Sequence, residues 1–174
     1  MATEKNFYNY DAMMEVLNPL LDTCYDFAGI SREQLPVVFI VWQSDDFSVY
    51  YSTIDHNLQV NLAKYTEADL SSEDFRNMFF YEVFAELRSY FQLLYLEEKY
   101  GANLTRRVLI QCIALDADSK ETNFFEEDAF KAAKLWSEMC LAGEKLGTCQ
   151  EQMAELEKII TANKILETMK KHFE

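Results

Sequence analysis

Apolar residues near the start of the chain recur every three or four positions, as they do on one face of an α-helix. The residues in this pattern are Met13, Val16, Leu17, Leu20, Leu21 and Cys24. This period predicts a helix that ends near Gly29. Pro19 lies inside the pattern and has no N–H to donate, so we expect it to kink or divide the helix. Residues 1–35 are therefore predicted to be an N-terminal helical segment.

The pattern changes to that of β-strands after Pro36. Residues 37–42 form a continuous β-branched and aromatic run, residues 47–53 form a second, and residues 58–62 alternate between apolar and polar. Turn-forming residues separate these runs at 44–46 and again at Asp55, His56 and Asn57. Three strands are therefore predicted between Pro36 and Leu62.

A long helix is predicted next. Ser71 can cap its start, with Asp74 three residues later reaching back to the backbone, and Gly101 can stop it after Tyr100. That gives about 29 residues, or roughly 43 Å at the α-helical rise. Because apolar residues surround much of this helix, we expect it to lie at the centre of the fold.

The remainder of the chain is mostly helical in pattern. Residues 108–115 fit a helix or a buried strand, and Asn123 can cap a helix that continues to Gly143. The C-terminal segment, 150–174, is an amphipathic helix whose apolar stripe spans residues 151–173. That stripe packs on its own domain, or else on a partner or a second copy in a homo-oligomer. The predicted fold is α+β: one domain, 1–174, with a small antiparallel or mixed sheet packed on a long central helix, and further helices.

Charge restricts the partners that the protein can bind. The formal net charge is −14, and residues 1–100 hold 17 acidic against 6 basic side chains. Such a field repels nucleic acid and attracts basic surfaces, including those of nucleic-acid-binding proteins; the alternative is that it serves solubility alone. No basic patch interleaved with aromatic residues is present, so direct nucleic-acid binding is not predicted.

The location of the protein is predicted from its start and its cysteines. Residues 1–11 are polar and acidic and do not form a secretory signal, and the longest apolar region carries Glu82, Glu86 and Arg88, so no membrane span is expected. The 4 cysteines lack metal-site spacing and are expected to be reduced. We therefore predict a cytoplasmic protein.

Residues 85–92 read Ala-Glu-Leu-Arg-Ser-Tyr-Phe-Gln. This stretch resembles the zinc-binding helix of the small zincin-like metallopeptidases (gluzincin type) found in phages and mobile elements, which commonly runs His-Glu-Leu-Arg-His, two bulky residues, then Gln. In that pattern two His four residues apart bind zinc, and the Glu polarises the attacking water. Glu86 matches the catalytic Glu, whereas Ala85 and Ser89 stand at the two His positions.

A second stretch, Phe-Glu-Glu-Asp-Ala-Phe at residues 125–130, resembles the second signature of the same family, Glu-x-Asp-Ala followed by an aromatic residue. The resemblance puts Glu126 at the position of the third zinc ligand and Asp128 at the acidic position after it. It covers residues 36–141, which would be the family-like core.

The resemblance therefore implies a degenerate member of the family. Ala85 has no donor atom, a Ser89 hydroxyl is a poor ligand, and His56 and His172 have no partner at ligand spacing. No cofactor is predicted, and Glu86 would be vestigial. Glu86, Glu126 and Asp128 could still hold a hard ion such as magnesium, and a peptidase with a divergent ligand set is the alternative.

Two expectations concern the residues around the lost site. Arg88 offers a rigid fork of donors, and Asp128 on the adjacent helix is its natural acceptor, so we predict an Arg88–Asp128 ion pair that braces the two helices. The shallow pocket left by Ala85 and Ser89 is either open or filled by the aromatic residues Tyr81, Phe84 and Phe125.

The functional prediction is a catalytically inactive protein that binds another protein, one with a basic surface. The phage and mobile-element context of the resembled family suggests an inhibitor of a host nucleic-acid-binding protein, including a defence nuclease. A structural or oligomeric accessory protein is a further alternative, and it would associate through residues 151–173.

Overall fold

The computed structural model describes residues 10–41, 48–62, 70–105 and 120–161. The helices are α1 (Tyr10–Ala28), α2 (Glu73–Tyr100), α3 (Lys120–Leu141) and α4 (Cys149–Thr161), and residues 102–105 add a short helical turn. The strands are β1 (Val37–Val41), β2 (Ser48–Ser52) and β3 (Asn57–Leu62). The α+β class is confirmed. The predicted element at residues 108–115 lies outside the described residues.

Helix α1 is a single helix that runs through Pro19, so the expectation that Pro19 divides it is wrong. It ends as predicted at Gly29, which has a φ of 67°. The N–H of Ile30 donates to the carbonyl of Tyr25 at 3.2 Å, and the N–H of Gly29 donates to Asp26 at 3.3 Å. This pair of bonds is a Schellman motif, in which glycine adopts the left-handed conformation at little cost.

The three described strands form a mixed sheet in the order β1–β3–β2. Strand β3 lies in the middle; it pairs in parallel with β1 and antiparallel with β2. The prediction left open an antiparallel or a mixed sheet, and the mixed form is the one observed. Strand β2 is therefore at an edge, and it packs beside α2.

Helix α2 is the central element, as its apolar composition predicted. It begins one residue later than expected, because Ser72 and not Ser71 is the N-cap: its side chain accepts a hydrogen bond from the N–H of Phe75 at 3.1 Å. Fourteen of its residues are buried. One hydrophobic cluster joins side chains of α1, the sheet and all three later helices.

Helices α3 and α4 pack against α2. Helix α3 begins three residues before the predicted cap Asn123 and ends in a second Schellman motif at Gly143, with φ 77°. In α4, Leu156 is fully buried, so the described part of the C-terminal amphipathic stripe packs on its own chain. Residues 162–174 lie outside the described residues. No helix in the described ranges is both long and apolar enough to cross a membrane.

Candidate functional site

The two positions that the resemblance assigns to zinc-binding histidines lie one turn apart on α2. Ala85 is 5% exposed, and the Ser89 hydroxyl donates back to the carbonyl of Ala85 at 3.3 Å. A hydroxyl used in this way satisfies its own helix and is poorly placed to bind an ion. The residues present do not fit zinc, which needs nitrogen, sulfur or carboxylate donors in tetrahedral geometry.

Glu86 points to the sheet. Its Oε2 accepts a hydrogen bond from the backbone N–H of Tyr51 at 2.7 Å. Tyr51 lies opposite Leu58 in the antiparallel pair, and its N–H is directed away from β3 toward the open edge of β2. An edge-strand N–H needs a partner when it is partly buried, so the carboxylate of Glu86 closes this edge onto α2.

Arg88 points to the opposite side of α2, toward α3. The structure brings it together with Asp128 as predicted: Arg88 Nε lies 2.9 Å from Asp128 Oδ2. The arginine side chain is only 2% exposed and that of Asp128 14%. A charge pair this deeply buried depends on close geometry, since each charge has lost its water.

Three further residues complete the environment of Arg88. Gln92 Nε2 donates to the same Asp128 oxygen at 2.8 Å. Trp136 lies with its ring centroid 5.7 Å from the Arg88 guanidinium carbon, and Glu155 of α4 reaches Arg88 Nη2 at 3.9 Å. The Arg88 network, as we call these five residues, therefore connects α2, α3 and α4 through one buried cation.

The sequence analysis did not predict these three contacts, although helix spacing could have indicated two of them. Gln92 follows Arg88 by four residues and so faces the same way on the helix, a spacing that could have predicted its shared partner. Trp136 is two turns beyond Asp128 on α3 and could have been placed by the same argument. Nothing in the sequence indicates Glu155, because the position of α4 depends on tertiary packing.

Two of the three carboxylates proposed as a hard-ion site, Glu86 and Asp128, are not brought together. Glu86 contacts the sheet and Asp128 contacts Arg88 on the other side of α2, because residues 86 and 88 point about 200° apart on a helix. Glu126 lies within α3, and its side chain is outside the described residues. Among the side chains that are described, no three of His, Cys, Asp and Glu cluster closely enough to hold a metal ion.

His56 occupies the predicted turn but is not a simple surface residue. Its φ of 58° is left-handed, it is half-buried, and its Nδ1 lies 3.0 Å from the Tyr51 hydroxyl. Its ring also packs against Tyr90, with centroids 6.2 Å apart. His172 lies outside the described residues.

Two of the aromatic residues that could fill the pocket beside Ala85 and Ser89 have ring partners in the described structure. Phe84 packs edge-on against Phe27 and Trp136. Tyr81 stacks on Phe130 with centroids 5.9 Å apart and an interplanar angle of 8°. The side chain of Phe125 is outside the described residues. Whether the pocket is open or filled stays a prediction.

The cysteines of the described ranges carry free thiols. Cys24 is buried, Cys140 is half-buried and Cys149 is exposed. Burial, with a smaller contribution from the neighbouring Cys140, raises the pKa of the Cys24 thiol. Burial also raises the pKa of the Cys140 thiol, so both thiols keep their proton at neutral pH. Cys112 lies outside the described residues.

Compared with protein-family models, with curated proteins and with solved structures, the chain matches none.

Proposed function

We propose that this protein is a catalytically inactive, zincin-like protein that acts by binding another protein through a basic surface of that partner. The proposal of lost catalysis rests on Ala85 and Ser89, which supply no metal donor. The carboxylate of Glu86 is held by a strand of its own chain, which leaves it a structural role.

The observation that carries the binding proposal is an acidic stripe on α1, formed by Asp11, Glu15, Asp22 and Asp26. All four are exposed. Their spacings of four, seven and four residues place them within about 60° of arc on one side of the helix. The apolar residues of α1 face the core on the other side.

Within the described part of the chain, one of the four carboxylates of the stripe has a basic partner. Arg32 pairs with Asp22 at 2.8 Å and also donates to Asn18. Asp11, Glu15 and Asp26 form no ion pair within the described residues. Exposed carboxylates aligned in this way create a directional negative field, which raises association rates with a basic partner and repels nucleic acid.

We propose further that the partner is a nucleic-acid-binding protein of a host cell, such as a defence nuclease, and that the protein inhibits it by covering its basic surface. Nucleic-acid-binding surfaces are rich in Lys and Arg and therefore complement the stripe. This part of the proposal also draws on the phage and mobile-element setting of the family that the sequence resembles.

The test compares two variants with equal changes in net charge. One neutralises the stripe (Asp11→Asn, Glu15→Gln, Asp26→Asn), and the control neutralises three exposed acids at and after α3 (Glu127→Gln, Glu138→Gln, Glu144→Gln). Both are assayed against purified nucleases and other basic nucleic-acid-binding proteins of the cell that carries the gene, by biolayer interferometry and by inhibition of nuclease activity.

We expect the stripe variant to bind its partner roughly tenfold more weakly, with the control nearly unchanged, and binding to weaken steeply as salt rises. Equal losses in both variants would show that only net charge matters. An affinity insensitive to salt would also contradict the proposal.

A further inference from the structure

A cavity of about 230 Å³ lies where the end of α1, the second half of α2 and the segment before α4 meet. Its walls are mainly apolar and include Ala28, Ile30, Phe91, Leu94 and Leu146. It is separate from Ala85, from the Arg88 network and from the acidic stripe.

The chain builds this cavity with specific backbone contacts. The Schellman turn at Gly29 directs the chain away from α1. The N–H of Leu146 then donates to the carbonyl of Phe27 at 3.0 Å, which holds the segment before α4 against the end of α1. The cavity therefore has walls from three elements that are fixed to one another.

The polar feature of the cavity is Tyr90. Its side chain is 3% exposed and lines the cavity, and its ring is held between Tyr51 and Phe91 with centroids 5.5 and 5.8 Å away. Within the described residues, no hydrogen bond to its hydroxyl is formed. The hydroxyl oxygen keeps some accessible surface, since it is not one of the fully buried unpaired polar atoms of the described residues. A ligand oxygen in the cavity can therefore accept a hydrogen bond from it.

The surroundings of the hydroxyl set its protonation. Burial first, and then the Cys149 thiol and Glu97, raise the pKa of Tyr90. At neutral pH the hydroxyl therefore keeps its proton and can donate. Cys149 also lines the cavity, which is consistent with the hydroxyl lying at the cavity wall.

We propose that this cavity binds a small uncharged molecule with an apolar or aromatic body and one oxygen that accepts a hydrogen bond from Tyr90. An apolar cavity of about 150 Å³ holds benzene, whereas drug-sized ligands need about 300–1,000 Å³. The ligand is therefore slightly larger than a single benzene ring.

The charges around the cavity exclude ions. An anion is disfavoured because the Glu151 carboxylate already accepts from the N–H of Thr148 at 2.7 Å, at the start of α4. A cation would find no carboxylate among the described lining residues. Only a neutral ligand matches both conditions.

The test uses a matched pair of probes, acetophenone and ethylbenzene, which have nearly the same shape but differ in the carbonyl oxygen. Binding to the full-length protein is measured by ¹H–¹⁵N NMR titration, following the amides of Gly29, Gly147 and Cys149. The variants are Tyr90→Phe, which removes only the hydroxyl, Ala28→Leu, which fills the cavity, and Tyr50→Phe as an exposed control.

We expect saturable shifts at these amides with both probes. Tyr90→Phe should lower the affinity for acetophenone about fivefold, because one neutral hydrogen bond is lost. The affinity for ethylbenzene, which makes no such bond, should stay within about twofold of that of the unchanged protein. Tyr50→Phe should change neither affinity, and Ala28→Leu should abolish the binding of both probes.

Absence of saturable shifts at these amides, or an unchanged ratio of the two affinities in Tyr90→Phe, would overturn the proposal. If Ala28→Leu does not fold, the ratio in Tyr90→Phe decides the question by itself.

Discussion

The two sides of α2 that flank Ala85 and Ser89 satisfy their charged residues in different ways. On the sheet side, the Glu86 carboxylate accepts a hydrogen bond from one backbone N–H of an edge strand. On the helix side, Arg88 is enclosed by Asp128, Gln92, Trp136 and Glu155 of three helices. Between them lie Ala85 and Ser89, the two positions that the resemblance assigns to metal-binding histidines.

This difference teaches that charged residues of one central helix can be satisfied by a neighbouring strand on one side and by neighbouring helices on the other. Glu, Arg and Gln at positions 86, 88 and 92 all hold α2 to its neighbours. These contacts give each of the three residues a structural role.

The largest effect is expected on the helix side. Arg88→Ala leaves the buried Asp128 carboxylate without its cation, and we expect a loss of about 3–5 kcal/mol in the free energy of unfolding. The melting temperature should fall by about 10 °C. Thermal and urea unfolding measure both.

Arg76→Ala is the matched control on the same helix. Arg76 is 45% exposed and lies 3.8 Å from Glu73, so its loss should cost under about 1 kcal/mol. Equal effects for the two arginines would contradict the account. The double replacement Arg88→Leu with Asp128→Leu should be milder than Arg88→Ala, because it leaves no charge unpaired.

A smaller effect is expected on the sheet side. Glu86→Ala removes the acceptor of the Tyr51 N–H and should cost about 1–3 kcal/mol. Hydrogen exchange at the Tyr51 amide should accelerate locally. Glu98→Ala, at an exposed position of the same helix, should stay within about 0.5 kcal/mol. An unchanged exchange rate at Tyr51 would show that Glu86 does not hold the edge.

The smallest effect concerns Glu82, one turn before Glu86. Burial raises the pKa of Glu82 above its usual 4.5. A raised pKa in the folded state means that the charged carboxylate destabilises the fold. This destabilisation is complete at pH values above the pKa of the folded state, and it is absent at pH values below the pKa of the unfolded state. Glu82→Gln should therefore stabilise the protein slightly at pH 7 and not at pH values below that of the unfolded carboxyl. Stabilisation of equal size in acid would contradict this assignment.

Much of the fold could be predicted because local rules decide it. Gly29 and Gly143 end helices in left-handed turns, and the apolar composition of α2 predicted its central position. The strand order could not be predicted, since a parallel β1–β3 pair depends on where the chain crosses over. Pro19 does not divide α1, because packing of the α1 face outweighs one missing hydrogen bond. The alternative that it kinks the helix stays a prediction.

The candidate site was predicted in part for the same reason. The Arg88–Asp128 pair follows from residue chemistry and helix adjacency. A backbone group was one of three possible partners of Glu86, beside Tyr90 and Arg88. That it is the N–H of Tyr51 could not be predicted, because the residues of α2 do not indicate which strand lies beside them. Likewise, Tyr90 carries no sequence signal that separates a cavity wall from an ordinary core residue.

The proposal that α2 is a packing element and not a metal centre is tested most directly by the metal content of the purified, untagged protein after expression with added zinc. The account predicts less than about a tenth of an equivalent by elemental analysis, because Ala85 and Ser89 provide no ligands. Close to one equivalent of tightly bound zinc would contradict it.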